Sequence, residues 1–351
     1  MKPFLTILII LLCLCCLASA VGVMVLKTKD NTTETTDTMD GTADDTTEGT
    51  PESSPTDTTT DENGTTDMTI TTAQETTAAV TVEQLVLPEL NAAHVFVYDV
   101  ASEQYLFEKA TDQPIVPASI SKLLVSLCAL HYMPKDYVIQ PQAEELAMVK
   151  PDSSIAYIKK HHKLTLEMLV EAMMLPSGND AAHAVAAGVA RYVKNDPNMD
   201  GEEAVEYFLE LVNAYAVSIG CTGTQYVTPD GYAHTNHYNS VHDLVIIAKL
   251  AIANEVISKY TATPSDYVTY ASGHTNTWKN TNKLLHSDSP YYSPYVTGLK
   301  TGSLNENYCL LISAEIGGKS FIIGVFKAPE EDDRYEDALE ILSALEAYVN
   351  A

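Results

Sequence analysis

Apolar and polar positions divide the chain into three stretches. A largely apolar run fills 4–26 and is followed by Lys27 and Lys29. Residues 30–80 show no apolar periodicity and contain no Lys, Arg or aromatic residue. From about Val86 the apolar positions recur regularly, and elements can be read from their spacing. Alternation over 93–100 and 105–110, separated by Ala101-Ser102-Glu103-Gln104, predicts a β-hairpin. Pro114 and Pro117 then interrupt the chain. Helical spacing returns over 119–133, 165–174, 180–193, 201–219 and 241–253, with a turn at Thr228-Pro229-Asp230-Gly231. Towards the end the period changes again. Residues 295–302, 308–316 and 321–328 read as strands, the last two joined by Gly317-Gly318, and 335–349 as an amphipathic helix. Strands at both ends with helices between predict an α/β chain of the α+β kind, in which both termini supply one antiparallel sheet covered by helices.

The same pattern sets the expected domains: a signal peptide or membrane anchor over 1–29, a disordered linker over 30–85 and a folded domain over 86–351. A run of about 20 apolar residues is long enough to span a bilayer as a helix. Ala18-Ser19-Ala20 matches a signal-peptide cleavage site, but the run continues beyond it, which favours an uncleaved anchor. Either reading exports the domain, either held at the outer face of a membrane or secreted. Residues 30–80 of the linker hold thirteen Asp or Glu and much Thr, which cannot bury enough apolar surface to offset the entropy of ordering. As a flexible coil of this length it would span roughly 40 Å, a stalk or a solubilising spacer.

Charge narrows the partners. A formal charge of −27 repels phosphate backbones, which excludes nucleic acid as a natural ligand. Of the six cysteines, Cys13, Cys15 and Cys16 lie in the apolar run. Cys128, Cys221 and Cys309 are widely separated and odd in number, so neither a disulfide framework nor a thiolate metal site is expected.

Three short motifs carry candidate chemistry. In Ser119-Ile120-Ser121-Lys122 the outer residues are three apart, so on a helix Lys122 reaches the Ser119 hydroxyl. A serine hydroxyl needs a neighbour to take its proton, and a lysine serves once burial or another cation lowers its pKa. Ser177-Gly178-Asn179 offers a hydroxyl relay and an amide that both donates and accepts. Lys300-Thr301-Gly302 closes a predicted strand, whose edge can pair with an extended peptide, with Gly302 clearing room for the substrate. A lone Ser-x-x-Lys is expected roughly once by chance in a chain this long. The three in this order are far less so, and the combination belongs to penicillin-binding proteins and class A β-lactamases.

The segments Tyr105-Leu106-Phe107-Glu108-Lys109, Pro117–Lys122, Leu175–Ala182, Thr228–Gly231, His237–Ser240, Gly298–Gly302 and Arg334–Ala338 make the resemblance specific. Over 91–351 the chain resembles the D-alanyl-D-alanine carboxypeptidases of the low-molecular-mass penicillin-binding family. That resemblance implies a β-lactamase/transpeptidase-like fold, an antiparallel sheet flanked by helices plus an all-helical subdomain, with the motifs at their interface. It implies removal of the terminal D-alanine from peptidoglycan stem peptides through an acyl-enzyme on Ser119, with β-lactams as covalent inhibitors and no cofactor. In the implied roles, Lys122 is the base, Ser177 passes the proton to the leaving amine and Lys300 supplies positive charge. Asn179 holds the substrate amide and Thr301 the terminal carboxylate, while Gly302 leaves space. The backbone N–H groups of Ser119 and Ser303 form the oxyanion hole. Many relatives carry His where this chain has Ser303. The sequence also ends at the closing helix, so the resemblance implies anchoring through the N-terminal run.

Two rival functions remain in view: a serine β-lactamase, and a non-catalytic sensor of stem peptides or β-lactams. Ser-Gly-Asn rather than Ser-Asp-Asn, and the lack of a Glu-x-x-Leu-Asn segment, count against the first. An intact nucleophile counts against the second. No metal is assigned: His161 and His162, or His234, His237 and His242, lie close in sequence, but no carboxylate or cysteine completes either group. Of these, His237 is expected to support the loop after Gly231. Arg334 is expected to pair with the acidic run 330–333 rather than with substrate. Met173, Met174, Trp278, Tyr291, Tyr292 and Tyr295 are expected in the core.

Overall fold

The computed structural model describes residues 84–232 and 235–351. The expected anchor over 1–29 and nearly all of the expected linker lie outside them, as does His234. Among the described residues no helix is long and apolar enough to cross a membrane.

The strands are β1 (His94–Asp99), β2 (Gln104–Lys109), β3 (Val138–Ile139), β4 (Leu164–Thr165), β5 (Ser265–Thr269), β6 (Thr275–Lys279), β7 (Val296–Leu304), β8 (Asn307–Ile316) and β9 (Lys319–Ala328). The helices are α1 (Lys122–Tyr132), α2 (Ala143–Ala147), α3 (Leu166–Met174), α4 (Asn179–Lys194), α5 (Gly201–Ser218), α6 (Val241–Ala253), α7 (Glu255–Ala262) and α8 (Asp333–Asn350). Five strands form one antiparallel sheet in the order β2-β1-β9-β8-β7. The N-terminal hairpin thus joins the C-terminal meander, as the apolar alternation predicts, and β7 is left at an edge.

Both faces of this sheet are covered. Along β1, Val95 and Val97 face the core shared with α8, whereas Phe96 and Tyr98 face the core shared with the central helices. A period of two sends successive side chains to opposite faces, which explains this split. On α8, Tyr335, Ala338, Ile341, Leu342 and Leu345 form the stripe that covers the first face. The buried Asp337 of α8 accepts hydrogen bonds from the backbone N–H groups of Asn91 and Ala92, at 2.9 and 2.8 Å, which fixes the entry into β1. The second face packs on α1, around which α3, α4, α5 and α6 assemble; Met173 and Met174 lie fully buried there, as expected. Glycine is required at Gly324, where a β-carbon would fall 2.2 Å from the Phe96 ring.

Three expectations need correction, and one hairpin was not foreseen. Helix α1 begins at Lys122 and not at 119; Ala118–Ser121 is a 3₁₀ turn, entered through Ala118 in a left-handed conformation (φ 48°). Leu85, assigned to the linker, is buried and donates its N–H to Leu106 at 2.9 Å. The hairpin β5–β6 was not anticipated, since Val268 and Trp278 are its only buried residues and give no apolar rhythm. Tyr292 is 44% exposed and not core, while Tyr291 and Tyr295 are partly buried against the α8 core. Trp278 is buried as expected, its indole N–H donating to the Ala156 carbonyl at 3.2 Å.

Candidate active site

Four pieces of chain meet beside the sheet edge: the turn before α1, the N-terminus of α4, the loop at 228–232, and β7. Their close approach explains two glycines. A β-carbon on Gly231 would lie 1.9 Å from the Ala118 carbonyl oxygen, and one on Gly302 would lie 2.6 Å from that of Pro117. The requirement at Gly302 was expected to come from substrate; in the structure it comes from the protein's own chain at Pro117–Ala118. The Ser119 turn is therefore clamped between the 228–232 loop and β7. Ser121 reinforces the clamp, with its Oγ donating to the Ala118 carbonyl at 2.7 Å and lying 2.7 Å from His237 Nε2. The His237 ring stacks on Tyr226 with centroids 4.4 Å apart. His237 thus supports the nucleophile's turn, a wider role than the expected loop support. His242 faces elsewhere, 2.9 Å from the Tyr105 hydroxyl.

Lys122 occupies the centre. Its side chain is fully buried, and Nζ lies 2.8 Å from each of three oxygens: Ser119 Oγ, Asn179 Oδ1 and the Asp230 carbonyl. An ammonium has three N–H donors, and here all three are used. A neutral amine has two donors and a lone pair. Asn179 Oδ1 and the Asp230 carbonyl can only accept, so the lone pair must face Ser119, whose hydroxyl then donates to it. Loss of the Lys122 proton thus reverses one bond, the one that activates the nucleophile. Burial lowers the Lys122 pKa to about 8, against the nearby carboxylates of Asp230 and Asp180, which raise it. Burial alone would raise the Asp230 pKa, but its contact with His183 and the Lys122 charge outweigh this and hold it below the usual range. Asp180 braces the α4 N-terminus by accepting from the backbone N–H groups of Ala156, Ile158 and Ala181.

Lys300 is also buried and has no carboxylate partner among the described residues; its Nζ donates to the Thr301 carbonyl at 3.1 Å. Burial first, then the charges of Lys122 and Arg334, push its pKa well below the ordinary lysine value. Its charged form is short of an anion. Thr301 Oγ1 lies 2.6 Å from Thr281 Oγ1, a partner the motif did not reveal. Ser177 adopts φ 60°, sparsely populated for a residue with a side chain, and its hydroxyl makes no hydrogen bond to other described residues. Strain of this kind persists only where the surroundings enforce it, commonly at functional sites.

Ser119, Asn179 and Ser303 open on one cleft of about 260 Å³, with Asp152, Asp230, Tyr232 and Tyr308 along its walls. Lys122 lies beneath the nucleophile, while Ser177, Lys300, Thr301 and Gly302 are buried and lie outside that lining. A larger cavity of about 520 Å³ on the helical part, lined by Tyr137, Arg191 and Tyr192, contains none of the motif residues. Arg334 was expected to pair with the acidic run. It does so through Glu331 at 3.2 Å, and its Nη1 also donates to the Gly302 carbonyl and Ser303 Oγ, both at 2.9 Å.

Residues 78–330 match the family model described as D-alanyl-D-alanine carboxypeptidase. The chain belongs to that family. Among curated carboxypeptidases of this family, DacF of Bacillus subtilis (strain 168) is 28% identical over 241 residues, covering 68% of this chain and 57% of its own length. The D-alanyl-D-alanine carboxypeptidase of Streptomyces sp. (strain K15) is 30% identical over 251 residues, covering 68% of this chain and 81% of its own. The chain therefore spans little more than half of the first relative and most of the second. The crystal structure of the Streptomyces K15 DD-transpeptidase superposes with a TM-score of 0.65 at 27% identity, covering 74% of this chain and 98% of that one. The expected carboxypeptidase fold, an antiparallel sheet with flanking helices and a helical part, is the fold of this chain.

The structure thus brings Ser119, Lys122 and Asn179 into direct contact and sets Gly302 against the Ser119 turn, while Ser177 makes no hydrogen bond with them. Sequence reasoning missed the supporting residues, Asp180, His183, Asp230 and Thr281. Asp180 and Asp230 lay inside quoted segments, but only as neighbours of a motif. His183 and Thr281 carried no signal, because their partners lie far away in sequence.

Proposed function

We propose that this chain is a serine-type D-alanyl-D-alanine carboxypeptidase that removes the terminal D-alanine of peptidoglycan stem peptides on the outer side of a bacterial membrane. The observation that carries the proposal is the 2.8 Å contact between Lys122 Nζ and Ser119 Oγ, with Asn179 and Asp230 occupying the other two positions around Nζ.

In this reading neutral Lys122 takes the Ser119 proton as Oγ attacks the carbonyl between the two D-alanines. The N–H groups of Ser119 and Ser303 receive the oxyanion, and preorganised donors of this kind usually supply a large share of the acceleration. Asn179 Nδ2 has no hydrogen-bond partner among the described residues and would donate to the substrate amide. The extended stem peptide would pair along the edge of β7. Lys300 and the Thr301–Thr281 hydroxyl pair would meet the terminal carboxylate, supplying the anion that Lys300 lacks. The Lys122 proton would reach the departing amine through Ser177, D-alanine would leave, and water would cleave the ester. β-Lactams would acylate the same Ser119. The apolar run before 30 would hold the domain at the membrane, and the acidic segment would serve as its tether.

Labelling with a fluorescent penicillin tests the assignment. Wild type is expected to form a stable adduct and to release D-alanine from a diacetylated tripeptide, while Ser119→Ala does neither. No label on wild type, or rapid turnover of the penicillin, would overturn it.

A further inference from the structure

Among the described residues, one cluster outside the cleft brings metal-ligating groups together. A turn at Lys160–His161 places the adjacent imidazoles of His161 and His162 on the same side, with ring centroids 4.6 Å apart. His274, at the start of β6 beside the hairpin tip, joins them, 5.0 Å from the His161 ring and 4.6 Å from that of His162. One ring nitrogen from each lies within 4.8 Å of the others. The sequence showed only the first two; the third ligand arrives from more than a hundred residues away. We propose that His161, His162 and His274 form a three-histidine site for a borderline first-row divalent ion, zinc foremost.

The geometry is close to what such an ion needs. Zinc binds imidazole nitrogen at about 2.0–2.1 Å, so tetrahedral ligand atoms sit roughly 3.4 Å apart. Rotations of the exposed His161 and His274 side chains would close the remaining gap. His274 is already oriented: its Nδ1 lies 3.1 Å from Ser272 Oγ, which also accepts the Lys163 N–H at 3.1 Å. A proton on Nδ1, donated to that hydroxyl, leaves Nε2 free for metal, the outer-shell arrangement common at zinc sites. His162 Nδ1 accepts the Lys159 N–H at 3.2 Å. Zinc at its Nε2 would place a proton on Nδ1 and release that amide to water, which is cheap because Lys159 is exposed. The fourth position stays open to water.

The site would act as a clamp. Segment 156–158 already hangs from the Asp180 carboxylate, and Asn276 and Trp278 of β6 both donate to the Ala156 carbonyl. Asp152, Ser153 and Ser154, just upstream, form one wall of the catalytic cleft. An ion at the three histidines would tie the far end of this segment to the hairpin tip. Lys159, Lys160 and Lys163 flank the site and oppose a cation, so added salt, by screening them, should strengthen binding.

The test uses the full chain after treatment with a chelator. Cobalt(II) gives a visible tetrahedral spectrum, and zinc competition gives affinity. Expected are one equivalent bound with a micromolar Kd at the histidines, a raised Tm, and affinity that rises with sodium chloride. His161→Ala and His274→Ala, both at exposed positions, should each weaken binding about tenfold or more, while His131→Ala leaves it unchanged. The proposal is overturned if no binding tighter than millimolar is found. Binding that survives both substitutions, or that weakens with salt, would assign the ion to the acidic segment 30–80 and overturn it equally.

Discussion

Arg334 Nη1 lies 2.9 Å from the carbonyl oxygen of Gly302 and 2.9 Å from Ser303 Oγ, so the start of α8 grips the edge strand at the point where it passes the nucleophile. The guanidinium is buried, is centred 4.8 Å over the Tyr335 ring and reaches Glu331 at 3.2 Å. It acts through β7 and so positions the site rather than reacting. Arg334→Ala should lower Tm and slow penicillin acylation about tenfold or more, since a charged hydrogen bond is worth roughly 1.5–3 kcal/mol. Arg334→Lys should recover only part, because a point-charge ammonium lacks the planar fork that serves several acceptors. Stopped-flow acylation and thermal melts of the three proteins decide it.

Lys122 should shape the pH profile. Its folded-state pKa, lowered to about 8 by burial, lies below the ordinary value of 10.5. Below about pH 8 it is an ammonium that cannot take the Ser119 proton, and above it the amine can. The second-order rate of acylation should therefore rise with pH and level off above about 8. Between about 8 and 10.5 the unfolded chain holds the extra proton, so this group makes stability rise with pH across that window. Lys122→Arg, permanently charged, should lose about 10²–10⁴-fold in acylation. A rate flat from pH 6 to 10 would remove Lys122 from the role of base.

Gly231→Ala should damage the site through the backbone. At φ 79° the added β-carbon would be strained, and it would fall 1.9 Å from the Ala118 carbonyl oxygen, so the nucleophile's turn must move. The expected cost is about 1–3 kcal/mol in stability, with penicillin labelling lost or greatly slowed. Urea unfolding read beside labelling separates displacement of Ser119 from general unfolding.

The ion pair of Glu145 and Arg191 should matter for stability alone. Glu145 is fully buried, accepts from both terminal nitrogens of Arg191 at 2.8 and 3.1 Å, and joins α2 to α4. Glu145→Ala would strand a buried guanidinium and should cost about 3–5 kcal/mol. Acylation of the folded protein should stay at the wild-type rate, measured at a temperature well below the lowered Tm.

Much of this protein was legible before folding. The alternation at 93–100 and in the last three strands is a local property, because side-chain direction in a strand follows from backbone geometry alone. The hairpin β5–β6 was not legible, since its stability comes from Trp278 and Asn276 meeting the Ala156 carbonyl, a contact between distant segments. Ser119 and Lys122 could be paired by their spacing, and the other motif residues by family resemblance. Asp230, whose carbonyl completes the shell of Lys122, and Thr281, which meets Thr301, could not be assigned to the site.

The sequence by itself determined the strands of the main sheet, the longer helices, the acidic composition of 30–80 and the identity of the three motifs, since each is written in neighbouring residues. Tertiary structure alone decided that Lys122 is buried among acceptors that direct its lone pair to Ser119, that Arg334 holds Gly302, and that His274 joins His161 and His162. The physical reason is the same in each case. Desolvation and hydrogen-bond partnership depend on which groups share a few ångströms of space, and chain spacing does not record that.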